Sequence, residues 1–147
     1  MLFIFDLDGT LADIRHRRHY VESPPKRWAQ FFAECTEDTP KKDVIAVLES
    51  LRRAGAEIRI WSARPESTAE ATKAWLARHI KGGDELPLRL RQKGDFRPDA
   101  EIKQEWLREL TPEERERLRG IFDDRDIVVQ MWRSNGVTCF QVDNYEN

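Results

Sequence analysis

Asp6 and Asp8 stand two positions apart at the end of the apolar run Leu2-Phe3-Ile4-Phe5, with Gly9 and Thr10 directly behind. On a strand, residues i and i+2 share a face. Where the chain breaks into a loop after the first Asp, both carboxylates can instead converge on one reacting group. Carboxylates this close repel, which invites a shared proton or a cation. The pair suits a nucleophile beside a general acid, with Mg²⁺ neutralising both the site and a phosphate. Alone, Asp-Gly-Thr is also a common turn.

Other residues of the same chemistry follow at regular intervals. Ser62 and Arg64 lie behind a second apolar run, and Asp123-Asp124-Arg125 behind Gly120-Ile121-Phe122. Asp99 and Lys103 are four apart, on one face of a helix, and can pair there. A carboxylate can attack phosphorus, and a second can manage the protons. Ser and Lys can hold phosphoryl oxygens as charge shifts, and crowded Asp oxygens are the hard ligands Mg²⁺ prefers. Each residue also has a plainer reading: Ser62 as a cap, the Asp pair as a solvated helix start, Lys103 as an exposed lysine. Four such elements in one order, each at a strand end or the helix start after one, favour the site.

The elements that must position these groups alternate. Strands are predicted at Leu2 to Asp6, Glu57 to Ser62, Leu86 to Leu90, Gly120 to Asp123 and Val137 to Val142. Between them, helices are predicted from Thr39-Pro40 to Gly55, from Pro65 to Ile80, from Pro98-Asp99 onward and from Asp126 to Asn135. Thr111-Pro112-Glu113-Glu114 reads as a capping box opening a short helix. The alternation predicts an α/β fold, a doubly wound, Rossmann-like, five-stranded parallel sheet with helices on both faces. A small cap-like insert of about residues 12–38 is expected after the first strand, within one domain spanning 1–147. Ligands of such sheets bind beyond the carboxyl ends of the strands, where the polar residues gather.

Composition narrows the class. With 25 basic and 27 acidic residues the net charge is −2, so overall charge does not mark a nucleic-acid binder. Cys35 and Cys139 lack metal-ligand spacing and fit buried thiols in a reducing cytoplasm. No apolar stretch reaches the ~18–20 residues that span a bilayer, and Met1 runs straight into a strand, leaving no room for a signal peptide. Trp61, Trp75, Trp106 and Trp132 are expected in the core. For Trp28, beside Phe31 and Phe32, substrate contact and packing of the insert both stay open.

The order DLDGT, Ser62, Lys103, Asp123-Asp124 resembles the haloacid dehalogenase superfamily of phosphohydrolases. The resemblance implies Asp6 as nucleophile and Asp8 as general acid and base. It implies Mg²⁺ held by Asp6, the Asp8 carbonyl and Asp124, with Asp123 assisting. A narrower resemblance, to the 3′-phosphatase domain of phage polynucleotide kinase, rests on Ser62-Ala63-Arg64, on Gly94 to Asp99 leading to Lys103, and on Phe122-Asp123-Asp124-Arg125 with the segment up to Val142. It adds Thr10, Arg17, Arg64 and Asp99 as substrate-binding residues, with Asp99 orienting Lys103 or Arg64. It also implies the cytoplasm of an infected host.

The chain has no Gly-x-x-x-x-Gly-Lys-Ser/Thr loop, so 5′ phosphorylation is not expected. The segment Ala12 to Asp38 departs most from that relative, and it carries Arg15, His16, Arg17, Arg18, His19, Tyr20, Lys26 and Arg27. Such a basic, aromatic edge can grip a phosphorylated nucleic-acid end, close over a mononucleotide, or be a solvated loop. The leading expectation is removal of 3′-phosphates from nucleic-acid ends, and the alternative is a nucleotidase of (deoxy)nucleoside monophosphates. A receiver-type signalling domain uses similar residues but places its acceptor Asp on a later strand.

Overall fold

The computed structural model of the chain describes residues 1–145. Five strands, β1 (Leu2–Phe5), β4 (Glu57–Pro65), β5 (Leu88–Arg91), β6 (Leu118–Arg125) and β7 (Cys139–Tyr145), form one sheet in the order β5-β4-β1-β6-β7. Every neighbouring pair is parallel. Two further strands, β2 (Ala12–Asp13) and β3 (Thr39–Pro40), pair antiparallel beside it. The expected doubly wound α/β architecture is the one observed.

β1 is apolar throughout because both its faces are covered. Phe5 packs with α2 (Lys42–Arg53) and α3 (Ala69–His79) through Val44, Ile45, Leu48, Trp75 and Leu76. Leu2 and Ile4 point the other way, into a second core with α4 (Asp99–Arg108) and α6 (Asp126–Ser134). There Trp61, Trp106 and Trp132 lie together, so four of the five tryptophans are core, as their helical or strand settings predict. Strand periodicity of two is what sends alternate residues into separate cores. A short α5 (Pro112–Arg117) has the expected capping box, Thr111 Oγ1 accepting from Glu114 N and Glu114 Oε1 from Thr111 N.

Two helix starts differ from expectation. Thr39-Pro40 does not open a helix: it forms β3, with Asp13 opposite Thr39 and Ala12 opposite Pro40, and α2 begins at Lys42. Lys41 N donating to the Leu11 carbonyl at 2.8 Å completes that junction. Here pairing across the mouth of an excursion outweighs a local capping preference. Pro65 likewise ends β4, and a 3₁₀ turn, Glu66–Thr68, precedes α3. The excursion between β2 and β3 carries a 3₁₀ turn at Arg15–Tyr20, then α1 (Trp28–Ala33) and a second turn at Cys35–Glu37. Among the described residues no helix is long and apolar enough to cross a membrane.

Candidate active site

β1 stops at Phe5 and Asp6 begins the loop that follows it, still tied to the sheet by its N–H on the Phe122 carbonyl. The Leu7 carbonyl then accepts from the N–H groups of Thr10, Leu11 and Ala12, while buried Leu7 and Leu11 pin the loop from below. Gly9 sits at φ +81°, a left-handed conformation. A Cβ there would lie 2.0 Å from Asp124 Oδ2. The glycine is thus a requirement of close approach, because the loop and the end of β6 share that space.

Four elements converge on one buried cluster. Lys103 of α4 donates to Asp6 Oδ1 at 2.8 Å and to Asp123 Oδ2 at 3.1 Å. Trp132 Nε1 also donates to Asp123 Oδ2, and Asp123 Oδ1 accepts from Asp124 N. Thr10 Oγ1 donates to Asp6 and Asp124 at 3.3 and 3.4 Å. Asp6, Asp123 and Asp124 each offer a carboxylate oxygen, all within 4.8 Å of one another.

The electrostatics follow from burial and like charge. Burial and the Asp123 carboxylate push Asp6 well above the usual carboxylate range, with Lys103 opposing. The same two causes lift Asp124 to about 6. Burial alone would lower Lys103, but Asp123 and Asp6 carry it above its ordinary value, so it stays charged. One ammonium facing three buried carboxylates leaves an excess of negative charge in a low-dielectric site. An oxygen-only donor set this crowded fits a hard divalent cation such as Mg²⁺.

A second cluster adjoins the first through Asp8. Its Oδ1 accepts from Arg64 Nε at 2.9 Å and NH2 at 2.6 Å, and from Arg17 NH2 at 3.0 Å. Burial pushes the Asp8 carboxyl up, yet Arg64 and Arg17 together hold it below its ordinary value. Both guanidiniums are fully buried, and both also reach Asp38, Arg64 at 3.0 Å. Arg64 NH1 is anchored on Thr72 Oγ1, and the Arg17 guanidinium lies 4.4 Å from the centre of the Phe31 ring. Ser62, buried at the end of β4, accepts from the Arg64 N–H.

Nine of the ten expected residues therefore gather in two adjoining clusters: Asp6, Thr10, Lys103, Asp123 and Asp124 in one, Asp8, Arg17, Ser62 and Arg64 in the other. The tenth, Asp99, stays outside these hydrogen-bonded clusters and reaches Lys103 only as a nearby negative charge. It pairs with Arg91 at 2.5 Å and with Arg125 NH1, and makes no hydrogen bond to Lys103 or Arg64. The i, i+4 spacing puts Asp99 and Lys103 on one helix face, but Lys103 turns inward to the carboxylates and Asp99 outward to two guanidiniums. Two groups had no sequence signal of their own. Asp38 is the buried counter-charge of the arginines, and Lys41 donates to the Gly9 carbonyl at 2.8 Å. A balance of charge could have flagged the first: two arginines assigned to a buried site require more than one carboxylate.

Comparison with known proteins agrees with this geometry. A sequence model of the polynucleotide kinase PNKP phosphatase domain matches residues 1–146. Two structures of the Pnkp1/Rnl/Hen1 RNA repair complex contain similar chains, each 29% identical, with TM-scores of 0.78 and 0.80. The matches cover 97% and 99% of this chain but 42% and 46% of those, so it spans less than half their length. The class C acid phosphatase of Bacillus anthracis shares the fold at 17% identity and a TM-score of 0.67, over 99% of this chain and 67% of that one. On this match along its length, the chain belongs to the family of polynucleotide kinase PNKP phosphatase domains and is a phosphohydrolase of the haloacid dehalogenase superfamily.

Proposed function

We propose that this phosphatase removes 3′-phosphates from nucleic-acid ends through an aspartyl-phosphate, with Mg²⁺ as cofactor, in a reducing cytoplasm. The observation that carries the chemistry is the buried Asp6–Lys103–Asp123–Asp124 cluster set against the Arg-clamped Asp8. The nucleic-acid target is supported by the family and by the likeness to chains of an RNA repair complex. The excursion between β2 and β3 is read as a small cap within a single domain, since it delivers Arg17 and Asp38 to the site.

In this mechanism an Asp6 oxygen attacks phosphorus and the bond from phosphorus to the ester oxygen breaks. Asp8 gives its proton to the departing 3′ oxygen. Water then attacks the acyl phosphate, Asp8 takes up the water's proton, and inorganic phosphate leaves with Asp6 restored. Lys103, Ser62 and Thr10 stabilise charge on the phosphoryl oxygens. Asp6, the Asp8 carbonyl and Asp124, with Asp123 behind, would hold Mg²⁺, which would supply neutralisation of the carboxylates and of the phosphate. Arg17 and Arg64 bind the incoming phosphate. That contact draws them from Asp8, whose carboxyl then rises toward the protonated form an acid needs.

The test is phosphate release with Mg²⁺ from a 3′-phosphorylated oligonucleotide, a 5′-phosphorylated one and a set of mononucleotides. Release from the 3′ end alone is expected, and release from mononucleotides alone would replace this reading with a nucleotidase. Asp6→Asn should remove activity toward every substrate.

A further inference from the structure

Phe96 is 93% exposed, while the next most exposed large apolar side chain among the described residues, Ile127, is at 55%. A bare phenyl ring at the tip of a mobile loop would mean little, but this loop is tightly built. Residues 92–98 join β5 to α4, at the carboxyl-end edge of the sheet where the site lies. Gly94, at φ +84°, makes the turn, closed by Asp95 N on the Gln92 carbonyl. Asp95 then accepts from Arg97 N at 3.2 Å, from Arg97 Nε at 3.0 Å and from Arg97 NH2 at 2.7 Å. Arg91 NH1 spans the loop from beneath, donating to the carbonyls of Asp95 and Arg97, the two neighbours of Phe96.

The same guanidinium ties the loop to the site. Arg91 Nε donates to the carbonyl of Ala63, which lies between Ser62 and Arg64, and its NH2 pairs with Asp99. Asp99 in turn holds Arg125, next to Asp124. The backbone that carries the ring is therefore held in fixed relation to the phosphate-binding groups, and the ring itself is given to solvent. Exposed Lys93 and Arg97 flank it in the chain, Arg97 being paired with Asp95 and Glu105. Trp28, an exposed aromatic of the β2–β3 excursion, packs on Phe31 and Phe32. An exposed ring on a braced backbone, on the rim of a phosphate site with Lys93 nearby, matches what stacks a nucleobase while neighbouring charge meets the backbone.

We propose that Phe96 is the base-stacking platform for the polynucleotide substrate, and so a determinant of preference for nucleic-acid ends over small phosphate esters. The assignment rests on the polynucleotide reading above and adds the subsite that would hold a base. The Asp99 network explains itself in these terms: its outward pairing braces the loop and leaves Lys103 to the carboxylates.

Steady-state kinetics of Phe96→Ala, Phe96→Leu and Phe96→Trp test it, with a 3′-phosphorylated oligonucleotide and with p-nitrophenyl phosphate, which carries no nucleobase. Phe96→Ala and Phe96→Leu are expected to raise KM for the oligonucleotide about tenfold, with kcat held and p-nitrophenyl phosphate kinetics unchanged. Phe96→Trp should restore the oligonucleotide KM. Because the ring supports nothing beneath it, Tm should stay constant. An unchanged oligonucleotide KM in Phe96→Ala would overturn the assignment, as would equal losses on both substrates or full rescue by Leu. If wild-type protein cleaves p-nitrophenyl phosphate but not the oligonucleotide, the polynucleotide reading itself fails and takes the platform with it.

Discussion

Arg17 and Asp38 meet in a two-pronged ion pair, Nε to Oδ1 and NH2 to Oδ2, each at 2.8 Å, and neither side chain is exposed. The pair joins the first turn of the β2–β3 excursion to its last, and Arg17 carries on to Asp8. Removing Asp38 would leave two buried guanidiniums to the single carboxylate of Asp8. Asp38→Ala is expected to cost about 3–5 kcal/mol, read by urea denaturation, and to lower kcat about a hundredfold as Arg17 and Arg64 lose their placement. Asp38→Asn, of the same shape, should lower stability by less while retaining most of the loss in kcat.

Gly9→Ala places a methyl group where Asp124 Oδ2 lies and holds alanine at φ +81°. A stability loss of about 1–3 kcal/mol is expected from the backbone conformation, with phosphate release nearly abolished because Asp124 must move. Substitution of Gly55, at φ +91° with nothing near its absent side chain, is the control. Gly55→Ala should lower stability while leaving kcat alone.

Metal should act on stability as well as on rate. Asp6, Asp123 and Asp124 repel one another in the folded protein, and a bound cation removes that repulsion. Mg²⁺ at about a hundred times its Kd should stabilise by about 2.7 kcal/mol, a rise in Tm of roughly 5–10 °C. Chelation should reverse the rise and stop phosphate release. Asp124→Asn should abolish the Mg²⁺-dependent part of Tm. A full Tm response in Asp124→Asn would move the metal elsewhere.

Stability should also carry a pH signature far from the site. Glu114 is held at about 2 by the Thr111 N–H and by Arg59. Its folded value lies below its unfolded one, so its contribution is present above about pH 4.5 and is lost as pH falls toward 2. The stability gap between wild type and Glu114→Gln should therefore be largest near neutrality and shrink between pH 5 and pH 3. Thr111→Ala, which removes the other half of the capping box, should cost about 1 kcal/mol.

Much of this was legible in the chain because it rests on periodicity. Leu2 to Phe5 reads as a doubly covered strand, and Ile102, Trp106 and Leu110 recur every four residues as one helix face. The structure agrees, with Leu110 only partly buried against the second core, because neighbours within an element decide such patterns. DLDGT, Ser62, Lys103 and the Asp pair were legible for a related reason: each sits at a fixed offset from an element end. Thr39-Pro40 misled because a strand partner 26 residues earlier, Asp13, decides its conformation. Asp38 was silent for the same cause, since its partners Arg17 and Arg64 lie on other segments. Asp99 showed that shared helix-face spacing permits a pair without selecting it when better-placed guanidiniums compete.

Arg17, Arg64, Asp8 and Asp38 form a closed square of two positive and two negative charges, drawn from the loop after β1, the excursion and the end of β4. Any single change of charge within it leaves a buried imbalance. Substitution must therefore proceed in compensating pairs, and the excursion is no free module. A different cap grafted between β2 and β3 would have to bring its own equivalents of Arg17 and Asp38, or Arg64 would be left to Asp8 alone. The excursion is thus bound to the carboxylate site at two fixed points, Arg17 and Asp38, with freedom only in what lies between them.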